Sequence, residues 1–186
     1  MAKVGDNIVT TGLSGKLGNL IVFRNRGGNT IVAKAPKKQT EWSEAQQQHR
    51  LRFQEAVLYA KNAITDEATK QNYKASAEED ESAYNVAVAD FFNAPHINEI
   101  DVSHYTGQPD SYIQVRAVDD FEVKEVTVSI QNSDGTEVES GSAILQEGSI
   151  WWRYTATATN ESLEGDKIII RVSDIPGNLT EQEKEI

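Results

Sequence analysis

The chain has 186 residues, enough for one domain or two small ones, with 38% hydrophobic and 25% charged residues, the make-up of a folded domain protein. A net charge of −11 makes the chain as a whole a poor match for nucleic acid or anionic lipid, and no apolar run reaches the ~20 residues of a membrane span. There is no cysteine, which excludes disulfides and thiolate chemistry.

The charge is uneven along the chain. Residues 1–52 hold nine Lys/Arg against three Asp/Glu, a net of +6, whereas residues 53–186 hold nine against 26, a net of −17. A basic front and an acidic back suit head-to-tail packing of identical copies. The segment Met1–Asp6 has neither the basic nor the apolar region of a secretory signal, so the expectation is cytoplasmic synthesis, followed by residence in a virion or release by lysis or dedicated export.

Asp6–Thr11, with Ile8 and Val9, reads as a short first strand ended by Gly12. The glycine-punctuated segment Gly12–Asn19 then leads into Leu20–Lys34, a β-hairpin with a Gly27-Gly28 turn. A two-residue turn there pairs Arg26 with Asn29, Phe23 with Val32, Val22 with Ala33 and Leu20 with Ala35. Period-two alternation puts Leu20, Val22, Ile31 and Ala33 on one face and Ile21, Phe23 and Val32 on the other. Both faces are therefore apolar, and a two-stranded ribbon cannot bury both by itself. The following helices, or another subunit, must supply the cover. Leu20, Ile21, Val22, Phe23, Arg24, Arg26, Ile31 and Val32 are the candidate assembly interface.

Pro36-Lys37 breaks the pattern. Ser43 caps a helix, with Gln46 placed for a capping box. Phe53, Ala56, Val57, Ala60 and Ile64 form a buried helical stripe. Thr65-Asp66-Glu67 starts a second helix through about Ala77, which Glu78–Glu81 continues as a solvated face, and Ala83, Val86, Ala87 and Phe91 keep helical spacing until Asn93-Ala94-Pro95. Residues 1–94 thus make one module, a β-hairpin plus a helical hairpin. From His96 the period changes to two. Ile97–Val102, Tyr112–Val118, Val123–Gln131, Thr136–Glu139, Ile150–Ala156 and Lys167–Ser173 read as strands, with a hairpin turn at Asn132-Ser133-Asp134-Gly135. The spacing of six or seven short strands argues for a β-sandwich over residues 95–180, and Ile168-Ile169-Ile170 for a strand covered on both faces. The acidic tail 181–186 is expected to fray. The fold class is α+β.

Three segments carry a resemblance. Ala117–Val128, Trp151–Ala156 and above all Val172-Ser173-Asp174-Ile175-Pro176-Gly177-Asn178 resemble bacterial immunoglobulin-like domains, whose closing Thr-Asp-x-x-Gly-Asn the last segment matches with Ser for Thr. This implies an immunoglobulin-like sandwich and no particular chemistry. The N-terminal half looks like a family of small proteins from Bacteroidetes and their phages or mobile elements. The matching pieces are Gly12-x-Ser14-Gly15-Lys16-x-Gly18-Asn19, the hairpin, Pro36-Lys37, Gln46 through Arg50-x-Arg52-Phe53, and Ala83-Tyr84-Asn85. The resemblance implies the pairing of such a module with an immunoglobulin-like domain, and brings no activity.

The residues capable of chemistry do not assemble into a known motif. Gly12–Lys16 misses a phosphate loop, because Thr10 stands for its first Gly and Leu17 for its Ser/Thr. Arg24, Arg26, Lys34, Lys37 and Lys38, beside Phe23 and Trp42, form a basic patch that suits acidic side chains of a neighbouring copy better than nucleic acid. Asp101, Asp119, Asp120 and Asp174 fall at strand ends, where clustered carboxylates can take calcium, although no Asp-x-Asp-x-Asp-Gly loop is present and Asp174 suits its own turn. His49, His96 and His104 lie on separate elements without metal spacing. Tyr105 or Tyr154 suits a tyrosine corner, and Trp151 or Trp152 a core anchor.

The expectation is a non-enzymatic structural protein, a virion component or filament subunit. It would self-assemble through the hairpin and display the sandwich, with copies of itself as partner. It would need no cofactor and no small-molecule substrate. The alternatives are a monomeric binding module that recognises a glycan or protein through sandwich loops, and a nucleic-acid-associated protein that uses the basic hairpin.

Overall fold

A computed structural model describes residues 2–4 (in backbone), 9–10, 12–26, 28–37 and 41–186. It is a mixed α+β protein with three helices and three antiparallel sheets among these residues. The chain divides into two compact units, residues 1–52 and 53–186. The structural division thus falls where the charge changes sign, inside the first helix, whereas the change from helical to strand periodicity near Pro95 lies within the second unit.

In the first unit, β1 (Ala2–Val4), β2 (Gly15–Leu17), β3 (Ile21–Arg26) and β4 (Asn29–Lys34) form a sheet in the order β1-β4-β3-β2. The hairpin register is the expected one: Arg26 faces Asn29, Phe23 faces Val32 and Val22 faces Ala33. The Ala35 N–H reaches the Leu20 carbonyl, which extends the same register. Gly28 takes φ +72°, a left-handed value that glycine adopts without steric cost, while Gly27 lies outside the described residues. The glycine segment Gly12–Asn19, whose glycines suggest a tight loop, keeps turns at Gly12 and at Gly18-Asn19 but forms a strand at Gly15–Leu17. Gly15 pairs with Phe23, Lys16 with Val22 and Leu17 with Ile21, so the edge of β3 creates a strand that the sequence Gly-Lys-Leu would not signal. Of the first strand expected at Asp6–Thr11, Val9 and Thr10 lie in a turn, and Asp6–Ile8 and Thr11 are outside the described residues.

The helix α1 (Glu44–Ala63) starts with a reciprocal capping box. The Gln46 N–H donates to Ser43 Oγ, and the Ser43 N–H donates to Gln46 Oε1. Every residue from Glu41 to Glu55 is exposed, and burial begins at Ala56 and Ala60. The expected stripe is therefore real only in its second half; Phe53 is exposed and stacks on Phe92. Asp66 caps α2 (Glu67–Ala75) by accepting from the Thr69 N–H, and Ser82 caps α3 (Ala83–Phe92) by accepting from the Asn85 N–H. The segment Glu78–Glu81 does not prolong α2. The helix closes at Ser76, and Asp80 stands at φ +69°, which no helix contains. Ala60, Tyr73 and Ala87 form the buried helical core, and Phe121 stacks on Tyr73 at 4.1 Å.

From His96 onward two sheets share one core. One runs in the order β5 (His96–Asp101), β6 (Tyr112–Val118), β10 (Trp151–Thr155), β9 (Ile144–Leu145). The other runs β12 (Leu179–Glu185), β11 (Lys167–Asp174), β7 (Val123–Gln131), β8 (Glu137–Ser142). Ile113, Val115 and Ala117 from β6 meet Val126, Val128, Ile130, Ile168, Ile170 and Val172 from β7 and β11. Cross-strand register aligns Ile168 with Ile130, Ile170 with Val128 and Val172 with Val126, so one face of the sheet is a continuous β-branched surface. Ile169 on the opposite face is also buried, as a doubly covered strand requires. The turn at Asn132–Gly135 closes β7 onto β8: the Thr136 N–H bonds Asp134 Oδ1, and Gly135 takes φ +85°.

The acidic tail is not frayed. Residues 179–185 form β12, paired along its length with β11. The Lys184 ammonium donates to the Ile100 carbonyl, and the Ile186 N–H to the Asp166 carbonyl. Leu-Thr-Glu-Gln-Glu-Lys-Glu lacks apolar alternation because an edge strand is held by its backbone ladder to one neighbour.

Candidate functional site

Two regions carry the candidate residues. In the first unit, Ile21, Val22, Phe23, Arg24 and Arg26 lie on β3, Ile31 and Val32 on β4, and Leu20 immediately before β3. The pairing puts Leu17, Ile21, Phe23 and Val32 on one face and Leu20, Val22, Ile31 and Ala33 on the other. Only Val22 of the eight predicted residues is buried; Ile21, Phe23, Ile31 and Val32 are half-exposed, Arg24 and Arg26 exposed, and Leu20 stands 75% exposed. Leu17, which sequence reasoning left out, is 62% exposed and extends the Ile21–Phe23 face. Gly15 pairs with Phe23 and offers it no side-chain cover. Thr30 is buried on the same face, where its hydroxyl accepts from the Gly12 N–H and donates to Asn25 Oδ1.

The second region lies within the 53–186 unit, where the C-terminal turn of α3 meets the loop after β6 and the end of β11. Asp90, Asp119 and Asp174 converge there, each offering an oxygen within 4.8 Å of the others. Asp174 follows from its local sequence. Its Oδ1 accepts the Gly177 and Asn178 N–H groups at 2.8 and 2.6 Å, and its Oδ2 accepts the Asn178 amide at 2.7 Å. That amide also faces the carbonyls of Asp90, Phe91 and Asn93, so Asn178 closes the end of α3. Asp119 Oδ2 accepts from the Phe121 and Glu122 N–H groups, and Asp90 Oδ2 accepts from the Tyr73 hydroxyl at 2.6 Å, itself 2.7 Å from the Tyr59 hydroxyl.

The electrostatics follow from this crowding. Burial pushes the Asp90 carboxyl up to about 6, and the neighbouring charges of Asp119, Asp174 and Asp120 add to the rise, against the opposing Tyr73 bond. Burial also raises Asp119. The Tyr73 hydroxyl is raised by its own burial and by its bonds to Asp90 and Tyr59.

Of the four aspartates singled out from the sequence, Asp119 and Asp174 come together. Asp120 accepts from the Asn93 amide nearby, and Asp101 caps its own turn by accepting the Ser103 N–H. Asp90 was missed. Its one sequence signal is position, because it takes the i+7 place on the apolar stripe Ala83, Val86, Ala87, Phe91. Tyr105 and Tyr154 are both buried in the two-sheet core. The Asn160 amide donates to the Tyr105 hydroxyl, and the Tyr154 hydroxyl bonds Glu139. Trp151 and Trp152 are half-buried, and Trp152 packs on that core. His104 stacks on Tyr112 beside Asp101.

No family model matches the chain, and no curated protein matches it. Among solved structures it is similar to an engineered protein at 17% identity and a TM-score of 0.35, over 55% of this chain and 25% of that one. The chain therefore spans about a quarter of that protein's length.

Proposed function

We propose that the chain is a structural protein that assembles with copies of itself through the N-terminal sheet and displays an immunoglobulin-like sandwich. The observation that carries the reading is a four-stranded sheet without a core of its own. Val22, Thr30 and Ala35 are the buried residues among those described in the first unit, while Leu13, Leu17, Leu20, Trp42 and Leu51 stand exposed. The start of α1, exposed at every position to Glu55, does not supply the cover. Large apolar side chains exposed on both faces of one small sheet, Leu17 on one and Leu20 on the other, support an interaction site here. A second copy is the fitting occupant because the +6 of residues 1–52 meets −17 on residues 53–186 of the next chain.

The sandwich assignment is supported by strand order. Lettered in sequence from β5, the two sheets read A-B-E-D and G-F-C-C′, the neighbour relations of the immunoglobulin fold. The match of Ser173–Asn178 to the closing motif of bacterial immunoglobulin-like domains points the same way, and a virion component or filament subunit accommodates both halves.

Size-exclusion chromatography with light scattering across a concentration series tests the proposal. The wild-type chain should form a species larger than a monomer that weakens with salt. Leu17→Asp and Leu20→Asp, both at exposed positions that the monomer tolerates, should return it to a monomer. A wild-type chain that stays monomeric at high concentration and low salt refutes it.

A second reading, a monomeric module that binds a glycan or protein, is favoured by one feature. A hollow of about 420 Å³ opens between Ala117, Phe121, Val123, Leu145, Ile150 and Trp152. Of its lining residues, Leu145 and Ile150 are exposed. A monomer that loses a ligand on Ile150→Asp would select this reading.

A further inference from the structure

The assembly reading makes no use of the three carboxylates gathered at the end of α3, and their geometry asks for a counter-charge. Asp174 is fully buried and Asp90 is 2% exposed. Among the described residues none of the three is ion-paired with a Lys or Arg. Two of their oxygens are both sealed from solvent and without a hydrogen-bond partner: Asp90 Oδ1 and Asp119 Oδ1. Each is the oxygen left over once its twin is engaged, Asp90 Oδ2 by Tyr73 and Asp119 Oδ2 by two backbone N–H groups. Buried polar atoms left this way are costly and rare in folded proteins, and a charged acceptor costs most.

A bound cation would supply the counter-charge that this group of carboxylates lacks. Two oxygens on one calcium ion at ~2.4 Å can stand no more than ~4.8 Å apart, and the three carboxylates meet that condition pairwise. Asp90 also sits in the last turn of α3, where the helix dipole favours positive charge. Magnesium keeps several waters and suits such an all-carboxylate cage less well. We propose that Asp90, Asp119 and Asp174 bind a divalent cation, calcium, which ties the end of α3 to the loop after β6 and the end of β11.

The test uses the full chain, stripped with a chelator and held at pH 7.5. Terbium, a calcium mimic whose emission is excited through nearby aromatic rings, should bind with one-to-one stoichiometry. Tyr73, bonded to Asp90, is placed to sensitise it. Calcium should displace terbium, and millimolar calcium should raise the melting temperature by several degrees. Asp119→Asn keeps an oxygen acceptor for Phe121 and Glu122, so it should fold, yet lose affinity tenfold or more. Asp101→Asn, away from the cluster, should bind as the wild type does. The proposal is overturned if calcium shifts neither melting nor terbium emission, or if Asp119→Asn binds as tightly as the wild type. It is equally overturned if the melting temperature rises on going to pH 5 with no response to calcium at either pH, since a proton then supplies the counter-charge.

Discussion

Replacing Asp90 with asparagine separates the charge of this buried carboxyl from its shape. Asparagine keeps an oxygen to accept from the Tyr73 hydroxyl and loses only the ability to ionise. In the folded chain Asp90 titrates at about 6 rather than 3.8, a rise caused first by burial and then by Asp119, Asp174 and Asp120. A raised carboxyl pKa means that the folded state holds the proton more tightly than the unfolded one. Its stabilising contribution is complete below about pH 4 and disappears as pH rises through about 6. At 1.36 kcal/mol per pH unit the full span is at most about 3 kcal/mol, of which about 2 kcal/mol falls between pH 4.5 and 7.5. In chelator, the wild type should thus lose about that much stability relative to Asp90→Asn between pH 4.5 and 7.5, because titrations common to both chains cancel. Urea unfolding of both proteins at the two pH values measures it. A wild-type-minus-variant difference that is the same at both pH values would show that Asp90 is not held in the crowded, desolvated setting described above.

The core makes a second prediction. Ile170 is fully buried between the two sheets, and Ile170→Ala should cost about 2–5 kcal/mol, read as a lower urea midpoint. Truncation after Asn178 should likewise lower the melting temperature. It strips β12 from β11 along seven paired positions and removes the Lys184–Ile100 and Ile186–Asp166 bonds. A tail without structural role would come off without effect.

How much of this was legible in the sequence depended on how local the determining physics was. The bounds of β6 and β7 coincide with the strands expected at Tyr112–Val118 and Val123–Gln131, because one side of each strand faces the core and the alternation records it. The Ser43–Gln46 capping box and the Asn132–Gly135 turn were equally readable, since their partners lie three residues away or fewer. What escaped was non-local. β2 exists because β3 has a free edge, and β12 because β11 does, and neither carries an apolar pattern of its own. The acidic cluster was half legible. Asp119 and Asp174 stood at strand ends, but Asp90 looked like one polar residue on an apolar stripe until α3 was seen to end against them. The two apolar faces of the hairpin were read through their alternation, yet Leu17 was missed with the strand that carries it.

The last strand has a bearing on how copies of this chain can meet. β12 is the outer strand of its sheet, and Glu181, Glu183 and Glu185 alternate along it opposite Arg171, Ile169 and Lys167. A free edge is a standing invitation to add strands from other molecules, and a row of like charges withdraws it, since an identical edge brought alongside would set glutamate against glutamate. The β12 edge of its sheet is thereby guarded against fusion with an identical edge.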